Sequence, residues 1–223
     1  MKIVSFSGGK DSTAMLIKMV EKKMPIDRVL FADTGKEFPQ TYLFIDKVSR
    51  WLFSKIGIKI ETLKAGKTWD SLFYKVHKTG KNAGKIWGFP YLCNPCWAQR
   101  DLKVKVLNKD LTANDTAFIG FALDERKRIL KTKFKHKVRY PLIEWQFTES
   151  DCFKICEKEG LVNPLYAFGF KRLGCFLCPK QPLSNLPIIK NYFPELWAEI
   201  LKYEKDSPQG FRPDVVCDAL EGE

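Results

Sequence analysis

The alternation of short apolar runs with amphipathic segments in the first third of the chain constrains its fold most strongly. Residues 3–6, 28–32 and 58–62 have the apolar composition of buried strands. Apolar side chains at helical spacing follow the first of these runs, and a second predicted helix covers residues 39–55. Strands and helices that alternate at this spacing are typical of parallel βαβ units. We therefore predict the α/β class: a doubly wound parallel sheet with helices on both faces and ligand-binding loops at the carboxyl ends of the strands.

The length of 223 residues corresponds to one ordinary domain with room for a small appended part. We predict a domain over residues 1–180 and a helical, cysteine-containing extension over residues 181–223 that packs on it, with a final helix over residues 187–205. No apolar run reaches the roughly 20 residues of a membrane-spanning helix, and no signal-peptide pattern precedes the first strand. The sequence therefore predicts a cytoplasmic protein with no membrane partner.

The chain is strongly basic, with 38 Lys and Arg against 26 Asp and Glu and a net charge of +12. Such a field attracts nucleic acids and phosphorylated small molecules, although a merely solvated basic surface has the same composition. Residues 66–88 are predicted to form an irregular, mobile segment that favours phosphate. The second basic run, over residues 126–139, is interpreted either as a solvated loop or as a clamp for the phosphate or sulfate end of a nucleotide or for a nucleic-acid backbone.

A glycine-rich loop joins the first predicted strand to the first predicted helix. Adjacent glycines allow a tight turn, and the helix that follows offers free amides and the positive end of its dipole to an anion. The spacing differs from that of the Walker loop, so it does not indicate cleavage between the β and γ phosphates. We predict that the whole loop binds a nucleotide and that Lys10 and Asp11 are also catalytic. The loop residues are Ser7, Gly8, Gly9, Lys10, Asp11, Ser12 and Thr13.

This loop resembles the signature of the PP-loop nucleotide α-hydrolase superfamily, whose members split ATP between its α and β phosphates. Three later segments, over residues 29–41, 120–126 and 163–170, resemble in their order and placement those of the phosphoadenosine phosphosulfate (PAPS) reductase family. The matching motifs extend over most of residues 1–180. The resemblance therefore implies a PP-loop fold that binds an adenine nucleotide, with ATP and Mg²⁺ as the expected cofactors.

The resemblance also implies nucleotide-binding residues outside the loop. Asp33 and Thr34 stand at the end of the second predicted strand, where the family pattern places residues beside the adenosine. Gly120 and Asp124 stand at the end of a fourth predicted strand, and the same pattern implies that they close the nucleotide pocket. All four positions follow predicted strands, as ligand-binding residues of a parallel sheet do.

Two Cys-x2-Cys pairs stand out among the seven cysteines. An odd number of cysteines in a chain predicted to be cytoplasmic favours metal binding or redox chemistry over a disulfide framework. Four thiolates accept either Zn²⁺ or a [4Fe-4S] cluster, so the residue types leave both open. The family resemblance favours [4Fe-4S], because cluster-bearing reductases and related sulfur-transfer enzymes use four cysteines from these two regions, although those reductases usually have adjacent cysteines in the first pair. The predicted metal ligands are Cys93, Cys96, Cys175 and Cys178.

The remaining cysteines and both histidines have less specific surroundings. Cys152 and Cys156 share one face of a predicted helix and are interpreted as small apolar residues. His77 and His136 stand among lysines and are predicted to be solvated surface residues. Cys217 lies where reductases of the resembling family carry their catalytic cysteine, but the Glu, Gly and His of that family's tail motif are missing around it. Cys217 is therefore a candidate catalytic residue for the reductase hypothesis alone.

Three functions fit these features. The favoured one is an ATP-dependent adenylating sulfurtransferase: Mg²⁺-ATP adenylates an oxygen of an acceptor, AMP becomes the leaving group, and sulfur passes through a thiolate or the cluster. The acceptor would be a nucleic acid or a small molecule, and a thioredoxin-like protein or a cysteine desulfurase would donate electrons or sulfur. The alternative is a sulfonucleotide (PAPS or APS) reductase, in which a cysteine thiolate attacks the sulfur of the substrate and sulfite is formed. The third is a non-catalytic nucleotide- or nucleic-acid-binding protein.

Overall fold

The structure is a computed structural model that describes residues 1–93, 95–109, 111–131 and 136–212. Its parallel strands form one five-stranded sheet of order β3-β2-β1-β4-β5. Val4 of the central strand lies opposite Val29 on one side and Phe118 on the other. The predicted class, a doubly wound parallel sheet with helices on both faces, is confirmed. The strands are β1 (Lys2–Ser5), β2 (Arg28–Asp33), β3 (Ile60–Lys64), β4 (Thr116–Ile119) and β5 (Lys137–Arg139).

Helices connect the strands and cover both faces of the sheet. None of the helices in the described ranges is both long enough and apolar enough to cross a membrane. Three non-α segments interrupt them: a π-helical turn over Gln99–Val104 and 3₁₀ segments over Leu123–Lys131 and Pro164–Phe168. The α-helices are α1 (Lys10–Glu21), α2 (Pro39–Ile56), α3 (Trp69–Phe73), α4 (Lys105–Asn108), α5 (Pro141–Glu144), α6 (Glu149–Lys158), α7 (Asn185–Tyr192) and α8 (Pro194–Asp206).

The sequence-based predictions for the final helix and for the second basic run are wrong. The single final helix predicted over residues 187–205 is two helices, because Pro194 cannot continue the hydrogen bonding of α7 and forces Phe193 out of helical geometry. The basic run over residues 126–139 is not one loop: residues 126–131 belong to a 3₁₀ segment and residues 137–139 form the edge strand β5, while residues 132–135 lie outside the described residues.

The chain divides into two compact units. The first comprises Met1–Ala32, Pro39–Leu63 and Leu107–Tyr166. The second comprises Asp33–Phe38, Lys64–Val106 and the chain from residue 167 onward. Both units are assembled from separate stretches of sequence, whereas the predicted boundary divides the chain once, at residue 180. That boundary stays a prediction.

The core of the first unit lies between the sheet and helix α1. Met15, Leu16 and Met19 of this helix are fully buried, as the apolar stripe in the sequence indicates. Helix α6 packs against α1 and contributes Cys152 and Cys156, which are buried among the same apolar side chains. Their interpretation as small apolar residues is therefore confirmed. His136, predicted to be a solvated surface residue, is instead buried, and burial lowers its pKa against the opposing charge of Asp115.

Aromatic side chains form much of the core of the second unit. The ring of Trp69 stacks on Phe73 at 5.1 Å between centroids and meets Tyr203 edge-on at 5.0 Å. Phe89 packs against Phe73 and, at 4.9 Å, against Phe211. Trp69 and Phe73 belong to a segment predicted to be irregular and mobile, and the prediction of irregular structure is wrong because Trp69–Phe73 form helix α3. The aromatic positions between the lysines give this segment a helix and a buried face.

Candidate nucleotide and cysteine sites

The glycine-rich loop of the first unit runs from the end of β1 to the start of α1. Gly8 has a φ of 75°, a left-handed conformation that glycine adopts without steric cost. Gly9 caps the helix without a side-chain hydrogen bond to its free amides. The Ser7 and Ser12 hydroxyls lie 3.0 Å apart, and Thr13 Oγ1 donates to the Gly9 carbonyl at 2.9 Å. The loop is thus held by its own hydroxyls and presents the amino-terminal end of α1, which suits a phosphate group.

The predicted residue Gly120 lies directly against the start of this helix. It follows β4, and a Cβ atom built on it would lie 2.9 Å from both the Cα and the backbone nitrogen of Ser12. Real Cβ atoms do not approach backbone so closely, so any larger residue would displace the loop. The structure therefore brings Gly120 and Ser12 together and explains why glycine stands at this position. The roles of Gly120 and Asp124 in closing a nucleotide pocket stay a prediction.

Lys10, the first residue of α1, joins the loop to the start of helix α6. Its ammonium group forms an ion pair with Glu149 and lies 3.2 Å from Asp11 Oδ2. Asp124 accepts a hydrogen bond from the Glu149 backbone nitrogen, at 3.2 Å to its Oδ1. Burial alone would lower the pKa of Lys10, but the hydrogen bond to Glu149 and the charge of Asp11 raise it, so the ammonium stays charged. Glu149 was not among the residues predicted from the sequence.

Asp11 is the member of this cluster whose pKa lies near neutral pH. Burial raises its pKa to about 6, because the opposing charge of Lys10 offsets the lost hydration only in part. The nearby carboxylates of Glu125 and Glu149 add to the rise. Asp11 therefore changes its charge close to neutral pH.

We expect Asp11 to make folding less favourable as the pH rises from about 4 to about 6. In this window the folded chain keeps a proton on Asp11 that an ordinary aspartate, with a pKa of 3.8, has already released. The free energy of unfolding should therefore fall by on the order of 2 kcal/mol across the window. Asp11→Asn cannot ionise and should lack this part of the fall.

Denaturant unfolding across this pH range measures the difference. The matched control is Asp46→Asn, which removes a carboxylate that is 64% exposed on α2. It should keep the pH dependence of the unsubstituted chain. Equal pH dependence in the two variants would contradict the assignment.

Asn163 and Tyr166 are loop partners that the sequence analysis did not name as site residues. Asn163 Nδ2 donates to the Gly8 carbonyl at 3.0 Å, and the Lys10 backbone nitrogen donates to the Tyr166 hydroxyl, also at 3.0 Å. Both side chains come from residues 163–170, one of the segments that carry the family resemblance. The family resemblance was the sequence feature that could have assigned them to the site, because nothing in the local spacing links these residues to a loop more than 150 positions away.

Asp33 and Thr34 open the second unit and are both buried. Asp33 accepts a hydrogen bond from the Gly35 backbone nitrogen at 2.7 Å and lies 3.7 Å from Lys64 Nζ. The Thr34 hydroxyl donates to Glu37 at 3.0 Å. These bonds shape the turn that follows β2. The predicted contact of Asp33 and Thr34 with an adenosine stays a prediction.

Two of the four predicted metal ligands, Cys175 and Cys178, lie on one turn of the second unit, where the Cys178 backbone nitrogen donates to the Cys175 carbonyl at 3.1 Å. The thiol of Cys175 is hydrogen-bonded to that of Cys178, and the charge of Cys178 acts on Cys96. Cys93 is exposed. Within the described ranges, no group of three or more Cys, His, Asp or Glu stands ready-made as a metal site. The assignment of all four cysteines as ligands stays a prediction.

A partly buried ion pair acts on these thiols. Lys103 Nζ is 2.8 Å from Glu37 Oε1, and its positive charge acts on both Cys175 and Cys178. The hydrogen bond from Cys175 and the charge of Lys103 lower the pKa of Cys178 to about 7, against the effect of burial. The same hydrogen bond and burial raise the pKa of Cys175. The surroundings therefore favour negative charge on one sulfur of the pair.

Neither Lys103 nor Glu37 was predicted as a site residue. The available signal for Lys103 was its position seven residues after Cys96, about two turns along a helical segment. Glu37 stands within the segment that carries the family resemblance, but nothing in the sequence pairs it with a lysine.

The family profile described as the phosphoadenosine phosphosulfate reductase domain matches residues 2–181 of the chain. The chain belongs to the PAPS reductase family. This result confirms the predicted family and its PP-loop superfamily. A PAPS reductase of Candida auris, solved as a phosphate complex, has the same fold, with a TM-score of 0.52 and 18% sequence identity over 78% of this chain and 80% of that one.

Relatives of the PAPS reductase family differ in length from this chain. The adenosine 5′-phosphosulfate reductase of Bacillus cytotoxicus is 30% identical over 174 residues, which cover 74% of this chain and 67% of that protein. An uncharacterized protein of Methanocaldococcus jannaschii is 30% identical over 209 residues, 88% of this chain but 40% of that protein. The chain spans less than half the length of this relative and of a second one from the same organism, where it covers 48%.

Proposed function

We propose that the chain is an ATP-dependent enzyme that cleaves ATP between its α and β phosphates and activates an acceptor for sulfur transfer. The observation that carries the proposal is the complete Ser-Gly-Gly-Lys-Asp-Ser-Thr loop, held by its own hydroxyls at the start of α1. The amino-terminal end of α1 and the Lys10 ammonium suit a pyrophosphate group, and a carboxylate beside them, Asp11, suits the Mg²⁺ that accompanies ATP.

The reaction would take place in two displacements. An oxygen atom of the acceptor attacks the α phosphorus of ATP, and pyrophosphate leaves with the electron pair of the broken bond. A sulfur nucleophile then attacks the acceptor atom that carries this oxygen, and AMP leaves with the oxygen. Lys10 would stabilise the negative charge of the departing pyrophosphate. A cysteine desulfurase or a thioredoxin-like protein is the proposed partner that supplies sulfur or electrons.

The second unit would hold a [4Fe-4S] cluster on Cys93, Cys96, Cys175 and Cys178. Cys175 and Cys178 are neighbours on one turn, the charge of Cys178 acts on Cys96, and the Lys103 charge suits a site with several thiolates. Cys93 precedes Cys96 by three residues, so its thiol can reach the same ion or cluster. A bound cluster would supply redox chemistry or an iron atom that accepts sulfur, whereas Zn²⁺ on the same thiolates would be structural.

A sulfonucleotide reductase is the second candidate, and the reductase relatives from Bacillus favour it. In that reaction a cysteine thiolate attacks the sulfur of adenylyl sulfate or its 3′-phosphorylated form, and AMP or its phosphorylated counterpart leaves. A thioredoxin-type dithiol then releases sulfite from the resulting thiosulfonate. Cys217 is the candidate nucleophile and lies outside the described residues. If the protein converts neither ATP nor a sulfonucleotide, the third candidate, a non-catalytic nucleotide- or nucleic-acid-binding protein, is favoured.

Cys217→Ser separates the two enzymes. We expect the unsubstituted protein to release AMP and pyrophosphate from ATP when acceptor is present, and Cys217→Ser to do so equally, since adenylation does not need that thiol. Anion-exchange chromatography measures both products. Sulfite production from adenylyl sulfate by the unsubstituted protein, and its loss in Cys217→Ser with nucleotide binding intact, would overturn the proposal in favour of the reductase.

A further inference from the structure

Residues 73–88 of the second unit form a short antiparallel ribbon, called here the basic ribbon. The His77 backbone nitrogen donates to the Lys85 carbonyl at 2.9 Å, and the Trp87 nitrogen donates to the Lys75 carbonyl at 2.7 Å. A bridge between Val76 and Ile86 fixes the register. Two strands paired in this way have a defined shape, so the side chains on each face have fixed neighbours.

One face of the basic ribbon combines lysines with aromatic rings. Because side chains alternate along a strand, residues 75 and 77 share a face with their partners 87 and 85. The Lys75 ammonium lies 4.2 Å from the centre of the Trp87 ring, and the His77 ring lies 6.1 Å from it. Trp87 is partly exposed, and Lys75 and Lys85 are exposed. This face therefore offers positive charge beside a flat ring.

No acidic residue lies near the basic ribbon in the sequence to neutralise its lysines. No Asp or Glu stands between Asp70 and Asp101. The ribbon has four exposed lysines, and within the described part of the chain none of them forms an ion pair with a carboxylate. These lysines are Lys75, Lys78, Lys81 and Lys85.

The basic ribbon is anchored at its base, and its Trp87 packs near Trp97. Gly88 donates to the Phe73 carbonyl at 3.0 Å, and Gln209 Nε2 donates to the Trp87 carbonyl, also at 3.0 Å. The Trp87 ring lies 6.4 Å from the ring of Trp97, which follows Cys96 directly in the chain. The ring of Trp87 is thus held against the chain segment that carries Cys96.

We propose that the basic ribbon binds single-stranded nucleic acid, with its lysines on the phosphates and the Trp87 ring stacked on a base. Lysines alone would suit any polyanion, but proteins that bind single strands combine backbone contacts with aromatic rings on which bases stack. An acidic protein would gain nothing from the stacking surface. If the surface holds the sulfur acceptor, that acceptor is a nucleic acid, and this part of the proposal rests on the proposed function. Binding of nucleic acid to the basic ribbon is tested without ATP.

Fluorescence anisotropy with a labelled single-stranded RNA of about 16 nucleotides, and with DNA of the same sequence, tests the proposal. The substitution Lys75→Ala/Lys78→Ala/Lys81→Ala/Lys85→Ala should weaken binding at least tenfold. It should also flatten the slope of log affinity against log salt by up to about 3, because each phosphate contact contributes roughly 0.7. The matched control removes four exposed lysines elsewhere, Lys55, Lys109, Lys158 and Lys202, and should weaken binding less than threefold, about the effect of net charge alone.

Two further measurements separate stacking from charge. Trp87→Leu should weaken binding about tenfold and Trp87→Phe much less, since a phenyl ring still stacks. Ultraviolet cross-linking of the unsubstituted protein to the RNA should attach the strand to the peptide that contains residues 75–87, which tests the surface without any substitution. The RNA and DNA arms show which sugar the surface prefers.

Several results would overturn the proposal. These are an equal loss of affinity in the two four-lysine variants, cross-links confined to other peptides, or poly-glutamate competing as well as RNA at equal charge. None of them bears on ATP cleavage, which is measured separately. Binding that survives in a protein without AMP release would instead reject the proposed function and retain the surface.

Discussion

Lys10→Ala is expected to weaken ATP binding at least tenfold, and up to about a hundredfold, while the fold is retained. A charge-assisted hydrogen bond to a phosphate contributes about 1.5–3 kcal/mol, which corresponds to this range of affinity. The structure adds a second reason. Lys10 also neutralises Asp11 and Glu149, so its loss would leave two carboxylates facing the incoming phosphates.

Isothermal titration with a non-hydrolysable ATP analogue measures this affinity. Lys18→Ala is the matched control, because Lys18 lies on the same helix and also pairs with a carboxylate, Glu21, but on the exposed side. That variant should bind nucleotide as the unsubstituted chain does. An unchanged affinity in Lys10→Ala, for both ATP and adenylyl sulfate, would remove the loop from the nucleotide site.

Cys178→Ala is expected to abolish incorporation of the metal centre. Protein purified without oxygen should be brown and contain about four irons per chain, the content of a [4Fe-4S] centre, and the variant should contain almost none. The thiol of Cys178 is hydrogen-bonded to that of Cys175, and its charge acts on Cys96. Removing it leaves no pair of adjacent thiols on that turn.

Iron and zinc analysis together with the visible absorbance spectrum measures this outcome. Cys152→Ala is the matched control, because Cys152 is a buried cysteine of helix α6 that packs among apolar side chains. It should retain the full iron content. A colourless protein with one zinc per chain, lost in Cys178→Ala, would make the site structural and remove the cluster from the proposed mechanism.

Much of the nucleotide loop could be predicted because its signals are local. The glycines, the lysine and the hydroxyl residues are neighbours in the chain, and their order between a strand and a helix already favours an anion site. The hydroxyl bonds among Ser7, Ser12 and Thr13 stay within this segment. The cap of helix α6 is equally local: the Thr148 hydroxyl accepts from the Asp151 backbone nitrogen, and the Asp151 carboxylate accepts from the Thr148 backbone nitrogen.

The segment over residues 66–88 shows where sequence reasoning failed. Its lysines and glycines are typical of an irregular loop, and they conceal a set of apolar and aromatic positions that pack inward. The rings of Trp69 and Phe73 both pack on Tyr203 of α8, a residue about 130 positions further along the chain. The ribbon that follows requires residue 75 to meet residue 87, a pairing that composition does not reveal.

The sequence by itself determined the βαβ order, the phosphate loop, the two cysteine pairs and the family, because each of these depends on residues close together in the chain. Only the tertiary structure decided which distant groups complete them: Glu149 and Tyr166 beside Lys10, the glycine at 120 against Ser12, and the Glu37–Lys103 pair beside the thiols. Tyr166 and Lys10 are 156 residues apart. Contacts over such distances are set by how the helices and turns pack, and packing leaves no regular spacing in the sequence from which they could be predicted.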